Sequence, residues 1–421
     1  MTIKSITAYE ILASGGYPTL EVQVTLTNGT TGVASVPYGV SAGSHEAVML
    51  TDGDSQRYSG KGVLQAIENV KQIIAPILIG LPANEQRIID EKMIALDSTS
   101  NKTRLGGNAI LGVSVAVARA AARAKNIELY QHIIETFDTQ VNLHTLPQPM
   151  MVSIEGGKHA HETTDLQEYC LTALQVDQSP TANIQKVLES YHQLRKILER
   201  EGLSTNVGNE GAFAPNGIKS NEAPFEYLLQ AIQAAGFTPG QEIGISVDAA
   251  ANEFFADNFY NLKVDQKNLT ASELNSYYEN WLQKYPAIKT LEDMHAEDDW
   301  EAWTAFKKIT DKYNIPLIGD DLTVTSLTRL QEAIDKQAIS AILIKLNQVG
   351  SLTETVDCCL LATQQNLMIV TSHRGGGETN DTAMVDLAVA VGSKYIKVGP
   401  TRGERVSKYN RLMEIERQLK Q

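Results

Sequence analysis

The sequence predicts an α/β protein: a TIM-type barrel that opens irregularly, as ββαα, preceded by a smaller α+β domain. Three observations predict it. Short apolar runs recur through the back half of the chain, each closed by a charged or polar residue. Amphipathic stretches, such as Ser326 to Gln337, fill the intervals. The front third instead reads as strands followed by helices. At 421 residues the chain has room for two domains or three.

In the front third, Leu20, Val22, Val24 and Leu26 alternate with polar neighbours, the period of a half-buried strand. Asn28-Gly29 then supplies a hairpin turn. The period changes at Val63, Ile67, Val70 and Ile74, which share one helical face, and Pro76 lies near that helix's end. Ala109 to Ala124 carries Ala and Val on nearly every side and reads as a helix buried on most faces. The polar stretch Asp138 to Pro149, with Pro147 and Pro149, is the linker candidate, so the expected division is 1–138 and 139–421.

Past the linker, two consecutive apolar runs, Met150 to Ile154 and Tyr169 to Leu174, precede helical stretches near Ile184 to Glu201 and Ala223 to Ala235. Six further runs end at Asp248, Glu292, Asp320, Lys345, His373 and Lys397, at spacings of 44, 28, 25, 28 and 24 residues. One strand, one helix and two loops need about that length. Eight such strands in about 270 residues suffice to close a barrel.

A barrel of this kind places its active site at the C-terminal strand ends, which collects those six distant residues on one face. Singly, each is an ordinary surface charge, helix cap or hydrogen-bonded histidine. Three acids and two lysines in order on strand ends make a site. Asp248, Glu292 and Asp320 offer the hard oxygen ligands that suit Mg²⁺. Two ammonium groups beside a divalent cation repel, so the Lys345 pKa is expected to fall, fitting it for general base work. Metal-held carboxylates with a lysine base suit removal of a proton α to a carboxylate.

Composition narrows the partners. Lys plus Arg number 36 and Asp plus Glu 50, a net charge of −14, which disfavours nucleic acid and anionic membrane. An anionic small substrate then needs local cations. The three cysteines, Cys170, Cys358 and Cys359, fit neither a zinc spacing nor a disulfide framework, and the expected compartment is the cytoplasm. The N-terminus has no signal-peptide pattern, and no run of about 18 apolar residues predicts a membrane span.

Long segments resemble enolases across almost the whole chain. They are VPYGVSAGSHEA at Val36 to Ala47, LDSTSNKTRLGGNAILGVSVAVARA at Leu96 to Ala120 and NVGNEGAFAPN at Asn206 to Asn216. LEDMHAEDDWEAW at Leu291 to Trp303, GDDLTVT at Gly319 to Thr325, LIKLNQVGSLTE at Leu343 to Glu354 and SHRGGGETNDT at Ser372 to Thr382 complete the set. The resemblance implies an enolase-like barrel and Mg²⁺-dependent, reversible dehydration of 2-phospho-D-glycerate to phosphoenolpyruvate. It implies that Asp248, Glu292 and Asp320 bind one Mg²⁺, and that Ser41, in a mobile glycine-rich loop, helps bind a second that depends on substrate. Lys345 is implied to take the α proton and Lys397 to hold the substrate carboxylate. Glu210, assisted by Glu168, is implied to serve the leaving hydroxyl, its pKa raised by the neighbouring carboxylate. His159 and His373 would line the site; Arg374, Gln167, Gly375 and Ser41 would contact the substrate. The family also implies a homodimer, or an octamer built from dimers, and a cell-surface fraction that binds host proteins.

The departures lie around the phosphate end and the lids. Where enolases carry Asp-Ser-Arg-Gly-Asn-Pro-Thr, this chain has ASGGYPT at Ala13 to Thr19. Tyr38 stands for a serine, and Val40 and Ala42 flank Ser41 differently. A bulky Tyr38 is expected to narrow the pocket or to stack on another substrate. Glu155 and Lys158 replace smaller polar residues, His161 and Glu162 differ from the usual pair, and Asn209 replaces an acid beside Glu210. Gly375-Gly376-Gly377 is one residue longer than the family's loop and lacks its serine, though glycine N–H groups can still cradle a phosphate. VGPTRGER, after Lys397, is one residue short. Two alternatives therefore stand beside the enolase reaction: an enolase-like lyase for a related phosphorylated or phosphonylated 2-hydroxy acid, and a non-catalytic binding protein on the same fold.

Overall fold

The computed structural model describes residues 1–39, 43–175 and 179–420. The N-terminal domain is a three-stranded antiparallel meander, β1 (Ile3–Leu12), β2 (Pro18–Leu26) and β3 (Thr31–Ser35), joined across the Asn28-Gly29 turn. The alternation predicted for β2 is its buried face: Leu20, Val22, Val24 and Leu26 are fully enclosed. They pack on the helix Gly107–Ala124, whose small side chains leave all but three of its residues buried. A two-residue strand, β4 (Tyr38–Gly39), follows the meander.

Val63, Ile67, Val70 and Ile74 are all buried, as their spacing requires. Pro76 lies near the end of the helix, as expected, two residues before its last, Leu78. The helix runs as Leu64–Glu68, widens into a π turn at Asn69–Ile74, and resumes as Ala75–Leu78. The wider turn lies immediately upstream of the proline, where its missing N–H and its ring disturb the regular ladder.

The barrel comprises β5 (Gln148–Glu155), β6 (Glu168–Ala173), β7 (Ile243–Asp248) and five later strands. After a small excursion sheet, β8 (Phe255–Ala256), β9 (Phe259–Leu262) and β10 (Lys267–Leu269), come β11 (Ile288–Glu292), β12 (Leu317–Gly319) and β13 (Ala341–Ile344). Then follow β14 (Met368–Ser372), β15 (Gly376–Gly377) and β16 (Tyr395–Val398). The eight barrel strands close in the order β5-β6-β7-β11-β12-β13-β14-β16, and β15 pairs instead with β4. Pro149 belongs to β5, opposite Ile396, rather than to the linker; it sits at the strand's start, where a missing N–H is tolerated. Helices Pro180–Arg200 and Ala223–Ala234 give the expected ββαα opening.

One strand runs against the others. β6 is antiparallel to both β5 and β7, while the remaining pairs are parallel. Its first residue, not its last, therefore lies on the face where the other strands end. The barrel interior is packed by Met150, Val152, Cys170, Ile318, Leu343, Val370 and Tyr395. All three cysteines are free and buried. Among the described residues, no helix is long and apolar enough to cross a membrane.

Candidate active site

Pairing across the first four barrel strands sets four carboxylates side by side. Glu155 pairs with Glu168, Glu168 with Asp248, and Asp248 with Glu292. Asp320 follows β12, next in the barrel. Ligand oxygens of Asp248, Glu292 and Asp320 all lie within 4.8 Å of one another, and the three side chains are buried. A buried hard-oxygen set of this kind can hold a divalent cation. Asp320 is held from several sides. Its Oδ1 accepts a bond from Gln348 Nε2 at 2.7 Å, and its backbone N–H donates to Asp293 at 3.0 Å.

Both lysines face the acids. The Lys345 ammonium donates to Asp320 Oδ2. The Lys397 ammonium lies 2.6 Å from Glu292, 2.8 Å from Glu168 and 2.9 Å from Asp248. Burial, the largest influence, pulls the Lys345 pKa down, and Arg374 and Lys397 add to it, but the acids beside it, the touching Asp320 first and then Asp321, leave the net shift upward. The expected fall is for two lysines beside a divalent cation; with the acids alone, the carboxylate in contact is closer than the second cation. Burial likewise opposes the charge on Lys397, yet its three acids hold its pKa well above the ordinary value.

Across the mouth sits a second group. His373 Nε2 is 3.0 Å from Glu210 Oε1, and His159 Nδ1 is 3.6 Å from both Glu168 and Glu210. Here an expectation is corrected. Burial favours the neutral form of Glu210, but His159 and His373 beside it drive its pKa well below the usual carboxylate range. The proton rests elsewhere. Burial, with the neighbouring Glu210 charge, pushes Glu168 up to about 8. His159 is disfavoured as a cation by burial, but Glu210 and Glu168 raise it to about 9. Burial lowers His373, so the two imidazoles are driven apart in basicity.

The residues expected to contact the substrate lie in a third group. Arg374 is buried, with Nη1 on Glu46 at 3.0 Å and its backbone N–H on Glu378 at 2.9 Å. Gln167, immediately before β6, donates its backbone N–H to the Asp248 carbonyl at 3.1 Å. Gly375 lies against His159 and Glu210: an added Cβ would stand 2.6 Å from His159 and 2.8 Å from Glu210. Ser41 lies outside the described residues.

Three of the sequence departures prove to be one contact. β4 pairs with β15, Gly377 opposite Tyr38 and Gly376 opposite Gly39. The Tyr38 ring covers Gly377, where a Cβ would meet the ring at 2.6 Å, and its hydroxyl points to Gly15. Ser14 exchanges backbone and side-chain bonds with Glu378 at 2.8 and 3.0 Å. Tyr38 is thus a wedge between two loops, directed toward the N-terminal loop. Sequence reasoning also passed over Glu46, Gln348 and Asp293. Glu46 reaches the site only through tertiary contact, while Asp293 and Gln348 lie just after Glu292 and Lys345, where no local period marks them.

A row of rim carboxylates, two lysines among them and a histidine–glutamate group opposite is equipped to exchange protons beside a bound cation. The comparison with known families agrees with this geometry. The model described as "Enolase, N-terminal domain" matches residues 3–133, and that described as "Enolase, C-terminal TIM barrel domain" matches residues 143–421. On these two matches, which together span nearly all of its length, the chain belongs to the enolase family.

Proposed function

We propose that the protein is a metal-dependent hydro-lyase that interconverts 2-phospho-D-glycerate and phosphoenolpyruvate. The observation that carries this reading is the contact of Lys345 with Asp320 on the same barrel rim that gathers Asp248 and Glu292. The donor set fits Mg²⁺, three buried carboxylates converging within one coordination sphere. Mg²⁺ held by Asp248, Glu292 and Asp320 would supply positive charge against the second negative charge developing on the substrate carboxylate, and Asp320 would then hold the Lys345 proton less tightly. Lys345 Nζ then takes the α proton. The electron pair of that C–H bond first passes into the carboxylate as an ene-diolate, then returns to form the C2–C3 double bond as the C3–O bond breaks. The departing hydroxide takes a proton from the Glu168–His159–Glu210 group and leaves as water. Lys397 turns its ammonium to the substrate carboxylate, and Arg374 meets the phosphate.

The assay is direct. With Mg²⁺ and 2-phosphoglycerate, phosphoenolpyruvate absorbance should rise at an ordinary turnover of about 1–1,000 s⁻¹. Lys345→Ala should abolish exchange of the α proton with solvent. No rise in absorbance, with Mg²⁺ binding intact, refutes the substrate assignment. A second reading then takes over, a related phosphorylated or phosphonylated 2-hydroxy acid. It is favoured by the altered phosphate side, where Tyr38, Gly377 and the Gly15 loop interlock. By the family resemblance we also propose a cytoplasmic homodimer. We place the domain boundary at 138/139, where Asp138 ends the helix Leu129–Phe137 in a left-handed conformation.

A further inference from the structure

Glu155, which the resemblance to enolases sets among the chain's departures, is wholly buried at the end of β5. Its carboxylate accepts the backbone N–H of Glu210 at 3.0 and 3.2 Å and that of Ala212 at 3.0 Å. The loop is moulded on it: a Cβ at Gly208 would stand 2.5 Å from the carboxyl carbon. Ligand atoms of Glu155, His159 and Glu210 lie within 4.8 Å of one another. The titratable groups facing Glu155 are His159 from the loop after β5, Glu168 from β6, Glu210 from its own loop and Tyr191 from the helix Pro180–Arg200. No lysine or arginine forms an ion pair with Glu155 among the described residues.

We propose that Glu155 is a positioning residue for the acid step, holding the Glu210 loop and storing a proton that keeps Glu210 and His159 in their working charge states. Three carboxylates in one dry pocket cannot all be ionised. The two histidines hold Glu210 ionised, so Glu155 and Glu168 carry the protons. Burial and the Glu210 charge push Glu155 up to about 8, despite its two backbone donors. Below that pH the pocket holds a neutral acid at 155. Above it, an added negative charge beside Glu210 would strengthen the hold on the proton that the leaving group needs.

This inference rests on the proposed dehydration, and its test separates the two. Glu155→Gln keeps an acceptor for the Glu210 N–H but cannot ionise. Because a permanently neutral side chain stands in for the protonated acid, its dehydration kcat should hold up above about pH 8, where the wild type falls, with KM changed less than about threefold. The basic limb of the pH profile should move from near 8, while α-proton exchange, which depends on Lys345, should change less than about threefold. A purely structural role would leave the pH profile in place. Glu155→Asp, which keeps the carboxyl on a shorter stem, should retain the limb and serves if the glutamine variant folds poorly. Difference infrared spectroscopy of wild type against Glu155→Gln should show a protonated carboxyl that disappears near pH 8, a readout that needs no turnover. An unshifted pH limb, or no such carboxyl band, overturns the proposal. Failure of the wild type to form phosphoenolpyruvate, with the band present, overturns the substrate assignment instead.

Discussion

Lys397→Met tests the electrostatics of the whole rim. The ammonium it removes touches Glu168, Asp248 and Glu292 at 2.6–2.9 Å, and all four side chains are buried. At about 2.8 Å and an effective dielectric constant of about 20, each contact carries about 6 kcal/mol before desolvation. That figure holds only for an ionised partner, and removing the charges from water cancels most of the gain. Deleting one partner of a buried pair leaves a measured loss of about 3–5 kcal/mol. Glu168 and Glu292 hold protons and leave no charge behind, so the expected loss is at the lower end, about 3 kcal/mol. Methionine keeps most of the aliphatic volume, so a cavity adds little. The sign of the pH dependence follows from Glu292, which burial and Asp248 already push well above its ordinary value against the pull of Lys397. Without Lys397 the folded state binds protons that the unfolded chain has released. The variant's stability must then fall as pH rises from about 5 to about 8, and its deficit is largest at the alkaline end. Mg²⁺ should restore more stability to the variant than to the wild type, because no ammonium competes for Asp248 and Glu292. Urea unfolding followed by circular dichroism, in chelator and in Mg²⁺ at both pH values, measures each quantity. A deficit below about 1 kcal/mol at about pH 8, or one that does not change with pH, would refute the reasoning.

Two further outcomes follow from groups outside the rim. His295 is buried among Tyr260, Tyr278 and Phe306, and burial lowers its pKa to about 3. It charges more readily when unfolded, so its penalty is absent above about pH 6.5 and grows as pH falls toward 3. At about pH 5 it amounts to about 2 kcal/mol, and His295→Leu should remove that much of the acid-side loss in urea titrations at about pH 7.5 and about pH 5. Equal losses in both proteins would contradict it. Gly377→Val drives a side chain into Tyr38 and should part β4 from β15. A local opening of about 1.4 kcal/mol would speed proteolytic nicking between residues 36 and 47 about tenfold; an unchanged rate would show that the pairing does not secure this segment.

Much of the architecture was legible in one dimension because it follows local periods. Alternation marked β2, helical spacing marked Val63 to Ile74, and the recurring runs marked all eight barrel strands. Asp248, Glu292, Asp320, Lys345 and Lys397 could be singled out because a charge at the end of an apolar run stands on the barrel rim once the sheet closes. Glu168 could not be found that way. It begins its strand, and it reaches the rim only because β6 runs antiparallel. The interlock of Tyr38, Gly377 and Gly15 joins segments hundreds of residues apart and leaves no local trace.

The sequence by itself determined which residues are acidic, basic or apolar and where the chain turns, and hence the barrel and the roster of its rim. Only the tertiary structure decided which of those charges touch. That choice set the upward shift of Lys345, the ionised state of Glu210 and the lodging of protons on Glu155 and Glu168. The reason is physical: strand and helix periods are written in neighbouring residues, whereas Coulomb energy depends on distance and burial, which exist only after the chain has folded.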